Sequence, residues 1–178
     1  MYRRTILLII AVVVVFAGCA SRYRLSLYLN MDESRRSLKI EQSQYLVNAK
    51  LGDPYGEQKV LTGDGTCLVL LTSARGDKVE LPSKSLLSFD EYLKIRFFVE
   101  LPNRIKTGTI DLKGHSFVQL LGRYTLQPEE KIFLVDSGTM IVDSIVKEHL
   151  FATVKGHYFN AKSRPLVFDG QFRAKIRK

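Results

Sequence analysis

The chain has 178 residues, of which 46% are apolar and 25% charged, a composition typical of one folded domain rather than a disordered chain. Its formal charge is +9, and because Arg3 and Arg4 contribute two of these charges, the chain after residue 18 carries +7. This excess favours acidic partners such as anionic lipid headgroups, anionic glycans or acidic proteins.

The first 18 residues have the features of an export signal. Two arginines form a short positive segment, and the apolar run 6–16 follows them. The run is 11 residues long, well short of the roughly 20 apolar residues that a spanning helix needs. Ala17 and Gly18 then precede Cys19, and two small residues allow the chain to lie extended in a peptidase groove.

The segment Phe16-Ala17-Gly18-Cys19 resembles the lipobox of bacterial lipoproteins, in which Leu is usual at the position of Phe16. The resemblance implies cleavage between Gly18 and Cys19 by the lipoprotein signal peptidase. It also implies a diacylglycerol thioether on the Cys19 sulfur, usually with an N-acyl chain such as palmitate, and no cofactor besides this lipid is predicted. Several acyl chains make membrane attachment durable.

The same resemblance places the protein in the bacterial cell envelope. Asp after the lipidated cysteine favours retention in the inner membrane, and Ala20 and Ser21 stand here instead, which favours the outer membrane. The alternative is an uncleaved N-terminal anchor in which Cys19 has no role. Export separates the protein from nucleic acid, so nucleic acid is excluded as a partner.

The predicted organisation is a signal peptide at 1–18, a lipidated N-terminus and tether at 19–24, and a β-rich globular domain at 25–178. The tether of about five residues spans at most about 17 Å, so we expect the domain to lie close to the headgroups. With Cys19 lipidated, Cys67 has no partner within the chain. Its apolar surroundings, Gly65 to Leu71, predict a buried thiol.

Alternation of apolar and polar residues predicts that most of the domain is β-strand. Gly, Pro and Asp recur every 8–12 residues or so, which favours an all-β, antiparallel β-sandwich, with a small open or closed β-barrel as the alternative. Gly156 and Gly170 within strands predict bends or bulges. A short helix is expected within 83–92. The predicted strands are 22–29, 38–41, 45–51, 58–61, 67–72, 78–81, 93–101, 109–112, 116–121, 131–135, 139–146, 150–159 and 166–176.

The sequence predicts neither a catalytic site nor a metal site. His149 and His157 share one strand face but are about 26 Å apart, too far to bind one metal ion. Neighbouring strand residues point to opposite faces, so neither Asp90-Glu91 nor Glu129-Glu130 forms an acid–base couple, and both pairs are interpreted as solvated loop or turn charges. The tripeptide 75–77, Arg-Gly-Asp, is interpreted as a turn.

Two sets of basic residues are candidate contacts for anionic headgroups, glycans or an envelope protein: Lys94 and Arg96 on one strand, and Arg173, Lys175 and Arg177 on another. The alternative role of both sets is solubility and protection of sheet edges.

The predicted function is that of a membrane-anchored lipoprotein with a non-catalytic binding or scaffolding domain. One alternative is a lipocalin-like carrier, which requires an apolar cavity. The other is a hydrolase, which requires a histidine and a carboxylate that meet in a cleft.

Overall fold

The computed structural model describes residues 25–29, 35–75, 94–102, 105–121 and 127–176. These ranges are almost entirely β-strand, which confirms the all-β prediction. The elements are β1 (Leu25–Leu29), β2 (Arg35–Leu51), β3 (Val60–Arg75), β4 (Lys94–Leu101), β5 (Gly108–Asp111), β6 (Ser116–Leu121), α1 (Pro128–Lys131), β7 (Ile132–Val146), β8 (His149–Phe159) and β9 (Pro165–Lys175). The predicted strand at 78–81 and the predicted helix within 83–92 lie outside the described residues.

All the strands pair antiparallel in one sheet, in the order β5-β7-β6-β4-β3-β2-β1-β9-β8. Because β7 also pairs with β8, the eight strands other than β5 form a closed ring of pairings. The fold is therefore one antiparallel sheet curled on itself, which is consistent with the predicted all-β class and its sandwich or barrel arrangement. β4 and β9 lie on opposite sides of this ring, since three strands separate them in either direction.

Three strands are longer than the alternation pattern predicts. β2, β3 and β7 continue through residues that lie between predicted strands, at 42–44, 62–66 and 136–138. Register shifts lie between Ile40 and Gln42, near Asn48, and between Val135 and Ser137. A bulge adds a residue to one strand without ending it. The Gly and Asp residues within 62–65 and 136–138 therefore mark irregularities within continuous strands.

Large apolar side chains fill the interior of the ring. Phe97 of β4 and Phe168 of β9 stack with ring centroids 4.7 Å apart, although their strands lie on opposite sides. Phe133, Tyr158 and Phe172 are also buried. Each such side chain contributes roughly 1.5–3 kcal/mol when it is fully buried. Packing across the ring is therefore a principal source of the stability of the domain.

Gly156 provides space for the ring of Tyr158. A Cβ atom at Gly156 would lie 2.5 Å from Cε2 of Tyr158, closer than real Cβ contacts allow. The Tyr158 hydroxyl lies 3.1 Å from the hydroxyl of Ser116, and burial raises the pKa of Tyr158. Gly156, which the sequence predicts to be a bend, thus allows the Tyr158 ring to lie close to the backbone. The hydroxyl of this ring forms a buried polar pair with Ser116.

A second apolar cluster lies on the outer face of the sheet. Val69, Phe98 and Phe117 are neighbours in register on β3, β4 and β6, and each is buried. The rings of Phe98 and Phe117 stack 4.4 Å apart. Because successive strand residues alternate between faces, these side chains point away from the interior that Phe97 occupies.

The tip of the β2–β3 hairpin packs against this outer cluster. Leu51 and Val60 contact its buried side chains, and the backbone N–H of Leu51 donates a hydrogen bond of 2.9 Å to Oε2 of Glu100. Cys67 pairs in register with Glu100 and is fully buried, which confirms the prediction of a buried thiol. Burial, together with the nearby Glu100 carboxylate, raises the pKa of Cys67 to about 11. This thiol is therefore protonated at neutral pH.

Candidate interaction surfaces

The outer cluster extends into an exposed region on the neighbouring strands. Phe117 pairs in register with Leu134, and Leu134 pairs with Phe159. Phe117 is 1% exposed, whereas Leu134 and Phe159 are each 41% exposed. Val69, Phe98, Phe117, Leu134 and Phe159 therefore form an outer apolar row across five strands, buried at one end and accessible to solvent at the other. Solvent-exposed apolar side chains that adjoin one another are less common on protein surfaces than isolated ones.

The basic residues of β4 have local partners on the outer face. Nζ of Lys94 lies 3.2 Å from Oε2 of Glu41, and the Arg96 guanidinium lies 6.0 Å from the ring centroid of Phe98. Hydrogen bonds from Ser73 and from Lys94 lower the pKa of Glu41. Lys94 and Glu41 are both accessible to solvent, so their ion pair contributes little to stability.

The basic residues of β9 lie on the opposite wall. The Arg173 guanidinium is 5.7 Å from the ring centroid of Phe151, and its Nη2 lies 2.9 Å from Nε2 of His149. Nζ of Lys175 lies 3.5 Å from Oε2 of Glu148. Because β4 and β9 lie on opposite sides of the ring in the strand order, the two basic sets point outward from different walls. The third predicted member of the β9 set, Arg177, lies outside the described residues.

A polar cluster connects α1 to the β8–β9 turn. Lys162 donates a hydrogen bond of 2.7 Å to Oε1 of Glu130, and the backbone N–H of Gln127 donates to Oε2 of the same side chain at 3.3 Å. Asn160 donates from Nδ2 to the backbone oxygen of Glu130 at 3.3 Å. The hydrogen bond from Lys162, and then the one from Gln127, lower the pKa of Glu130.

Glu130 is therefore a buried structural residue, and its interpretation as a solvated charge is wrong, whereas Glu129 is exposed as predicted. The sequence signal for this role is the run Gln127-Pro128-Glu129-Glu130. Proline is favoured at the first helical position, and a glutamate three residues after the N-cap can bond back to it.

The histidines do not converge on a catalytic or metal-binding arrangement. His149 contacts Arg173, and His115 and His157 are exposed at other positions. In the part of the chain that the structure describes, no three His, Cys, Asp or Glu side chains come close enough together to bind a metal ion.

The first described strand, β1, has a partner strand on each side. β1 lies between β2 and β9, with Leu25 opposite Leu38 on one side and Gly170 on the other. Five residues beyond Gly170, the backbone N–H of Lys175 donates to the Ser43 hydroxyl at 3.0 Å, and this hydroxyl lies 3.1 Å from the Lys175 carbonyl. β2 and β9 are thus joined directly beyond the start of β1.

The predicted cleavage and lipidation residues, Gly18 and Cys19, lie outside the described residues. Among the described residues, no helix has the length and apolar character required to cross a bilayer. Comparison with family models, curated proteins and solved structures found no match to this chain.

Proposed function

We propose that this chain is a bacterial envelope lipoprotein, attached through a lipid on Cys19, whose β-domain is a non-catalytic binding or scaffolding module at the membrane surface. The observation that carries this proposal is the position of β1. It begins at Leu25, six residues after Cys19, and is paired on both sides within the ring. Six extended residues span at most about 20 Å. A lipid on Cys19 would therefore hold the wall of the domain next to the headgroups.

The packing of the interior supports action through the outer surface. A lipocalin-like carrier needs an apolar cavity inside the sheet, and the stacked rings of Phe97 and Phe168 occupy the space between opposite walls. The hydrolase alternative requires a histidine beside a carboxylate, whereas His149 lies beside the Arg173 guanidinium. Both observations favour a module that binds by its surface.

The anchor is tested by intact mass and membrane fractionation of the full-length chain expressed in a Gram-negative host. We expect the wild type to lose residues 1–18, to gain the mass of the lipid, and to leave the membrane only in detergent. Cys19→Ala should retain the signal and gain no lipid. Cys67→Ser is the matched control and should be lipidated normally. A wild-type chain that is neither cleaved nor lipidated would contradict the proposal.

The choice of membrane is tested separately by density-gradient separation of inner and outer membranes. The wild type should sediment with the outer membrane, and Ala20→Asp should shift the protein to the inner membrane. Wild-type protein found in the inner membrane would contradict the outer-membrane assignment and leave the lipid anchor intact.

The carrier alternative is tested by organic extraction of the purified lipidated protein. Only the covalent lipid should be recovered with the chain. An apolar molecule that copurifies in stoichiometric amount and is released by extraction would favour a carrier over a surface-binding module.

A further inference from the structure

We propose that the C-terminal half of β9, with Arg173 and Lys175, is the face that the lipid anchor holds against anionic headgroups. This inference rests on lipidation of Cys19 as proposed above. It adds the orientation of the domain on the membrane and the chemistry of the lipid that the domain contacts.

The geometry follows from the register of β1. Leu25 lies opposite Gly170 in an antiparallel pair, so the N-terminal end of β1 and the C-terminal half of β9 point in the same direction along the sheet. Lys175 is five residues beyond Gly170, or about 17 Å along the strand, and Cys19 is at most about 20 Å from Leu25. With the tether fully extended, Cys19 therefore reaches about as far as Lys175. With a shorter tether, the membrane lies closer still to this half of β9.

The charges near the anchor are complementary to anionic headgroups. Arg22 and Arg24 lie three and five residues after Cys19 in the sequence, and Arg177 and Lys178 follow Lys175 after Ile176. Together with Arg173 and Lys175, these residues concentrate six positive charges at the two ends of the mature chain. The register of β1 with β9 places the N-terminal end of β1 on the same side of the wall as the C-terminal half of β9, which carries Arg173 and Lys175. Basic residues that adjoin an anionic surface each strengthen binding about fivefold.

The groups that contact Arg173 and Lys175 in the structure leave both side chains able to bind anionic headgroups. Lys175 and Glu148 form an ion pair whose side chains are 47% and 67% exposed, so solvent screens it and a phosphate can replace the carboxylate. The Arg173 guanidinium has five N–H donors, and its contact with His149 uses one nitrogen. Its position beside the Phe151 ring fixes the guanidinium on the outer face.

Lys94 on the opposite wall is a matched reference for Lys175. Both side chains are 47% exposed, and each is paired with one glutamate. A labelling reagent for amines should therefore modify the two lysines at similar rates when the lipidated protein is dissolved in detergent. Any difference that appears on vesicles then reports which wall faces the lipid.

The experiment reconstitutes the lipidated full mature chain into phosphatidylcholine vesicles with and without phosphatidylglycerol, and measures labelling of both lysines by peptide mass. On anionic vesicles, we expect labelling of Lys175 to fall about fivefold relative to detergent and that of Lys94 to stay constant. High salt should reverse the protection, because salt screens exposed charges. Arg173→Gln with Arg177→Gln should also reduce the protection of Lys175, whereas Arg96→Gln should not.

Equal labelling of Lys94 and Lys175 on anionic vesicles would overturn the proposed orientation, even if the protein floats with the vesicles and so keeps its anchor. Protection that is identical on neutral vesicles would overturn the role of anionic headgroups. An intact mass without lipid would overturn the anchor itself, and the orientation with it. Lipid mass and lysine labelling thus separate failure of the proposed function from failure of this inference.

Discussion

Glu130 shows how one side chain can hold two separate segments of the chain together. Its side chain is 8% exposed, and it accepts hydrogen bonds from Lys162 of the β8–β9 turn and from the backbone of Gln127 before α1. Hydrogen bonds between charged groups are stronger than those between neutral groups. Because these bonds favour the ionised carboxylate, the pKa of Glu130 is lower in the folded chain than in the unfolded chain.

This lowered pKa predicts a pH dependence of stability. The contribution of Glu130 is present at neutral pH and is lost as the pH falls through its folded-state pKa, below its ordinary value of 4.5. Glu130→Gln should therefore be less stable than the wild type at pH 7, and the difference should shrink in acid. Urea unfolding at several pH values measures it, with exposed Glu129→Gln as the control. A stability difference that persists unchanged in acid would contradict the prediction.

At the scale of elements, the β2–β3 hairpin does more than pair two strands. Its tip covers the buried end of the outer apolar row, and the hydrogen bond from the Leu51 N–H to Glu100 ties it to β4. The irregularity near Asn48, where the backbone has a positive φ of 52°, lies between the tip and the rest of β2. The hydrogen bond between Leu51 and Glu100 thus helps to keep the buried end of the outer apolar row covered.

Removal of this contact should loosen the tip without unfolding the ring. In Glu100→Ala, we expect hydrogen exchange at the Leu51 amide to accelerate about tenfold or more, because a hydrogen bond to a charged group is worth about 1.5–3 kcal/mol. Amides of β8 and β9 should exchange as before. Glu57→Ala, an exposed substitution near the same tip, is the control. Equal exchange at Leu51 in both variants would show that apolar packing alone holds the hairpin.

At the scale of the whole molecule, the N-terminal strand closes the ring. β1 has five residues, yet it is paired on both sides and connects β2 to β9. In the proposed lipoprotein, the strand nearest the anchor is therefore also the one that completes the sheet. Detachment of β1 would separate the two walls that Phe97 and Phe168 join in the interior.

Leu27→Pro tests this role because proline has no backbone N–H and Leu27 lies at the centre of a strand with neighbours on both sides. The backbone carbonyl that pairs with the Leu27 N–H would lose its donor, so we expect the free energy of unfolding to fall by about 2–3 kcal/mol. This corresponds to a decrease in Tm of roughly 5–10 °C. Thermal unfolding in detergent measures it. Cys19→Ala, which removes the anchor and not the strand, should leave Tm unchanged. A wild-type Tm for Leu27→Pro would show that β1 is dispensable for the ring.

Much of the fold was predictable because the period of a strand is local. The predicted strands at 116–121, 150–159 and 166–176 lie within one residue of β6, β8 and β9 at each end. The prediction failed where Gly and Asp mark a bulge, as at 136–138, because a turn and a bulge use the same residue types. The role of Glu130 was missed because it depends on Lys162, which is 32 residues away.

The sequence by itself determined the strand-rich composition and the buried environment of Cys67, and it is the sole basis of the proposed lipobox and short tether. These features depend on residues close together in the chain, where alternation and spacing act directly. Only the tertiary structure decided that the sheet curls on itself, that Phe97 meets Phe168, that Lys94 and Lys175 face opposite ways, and that the start of β1 lies beside β9. Each of these depends on pairing between distant strands, and the pattern within one strand does not specify its partner.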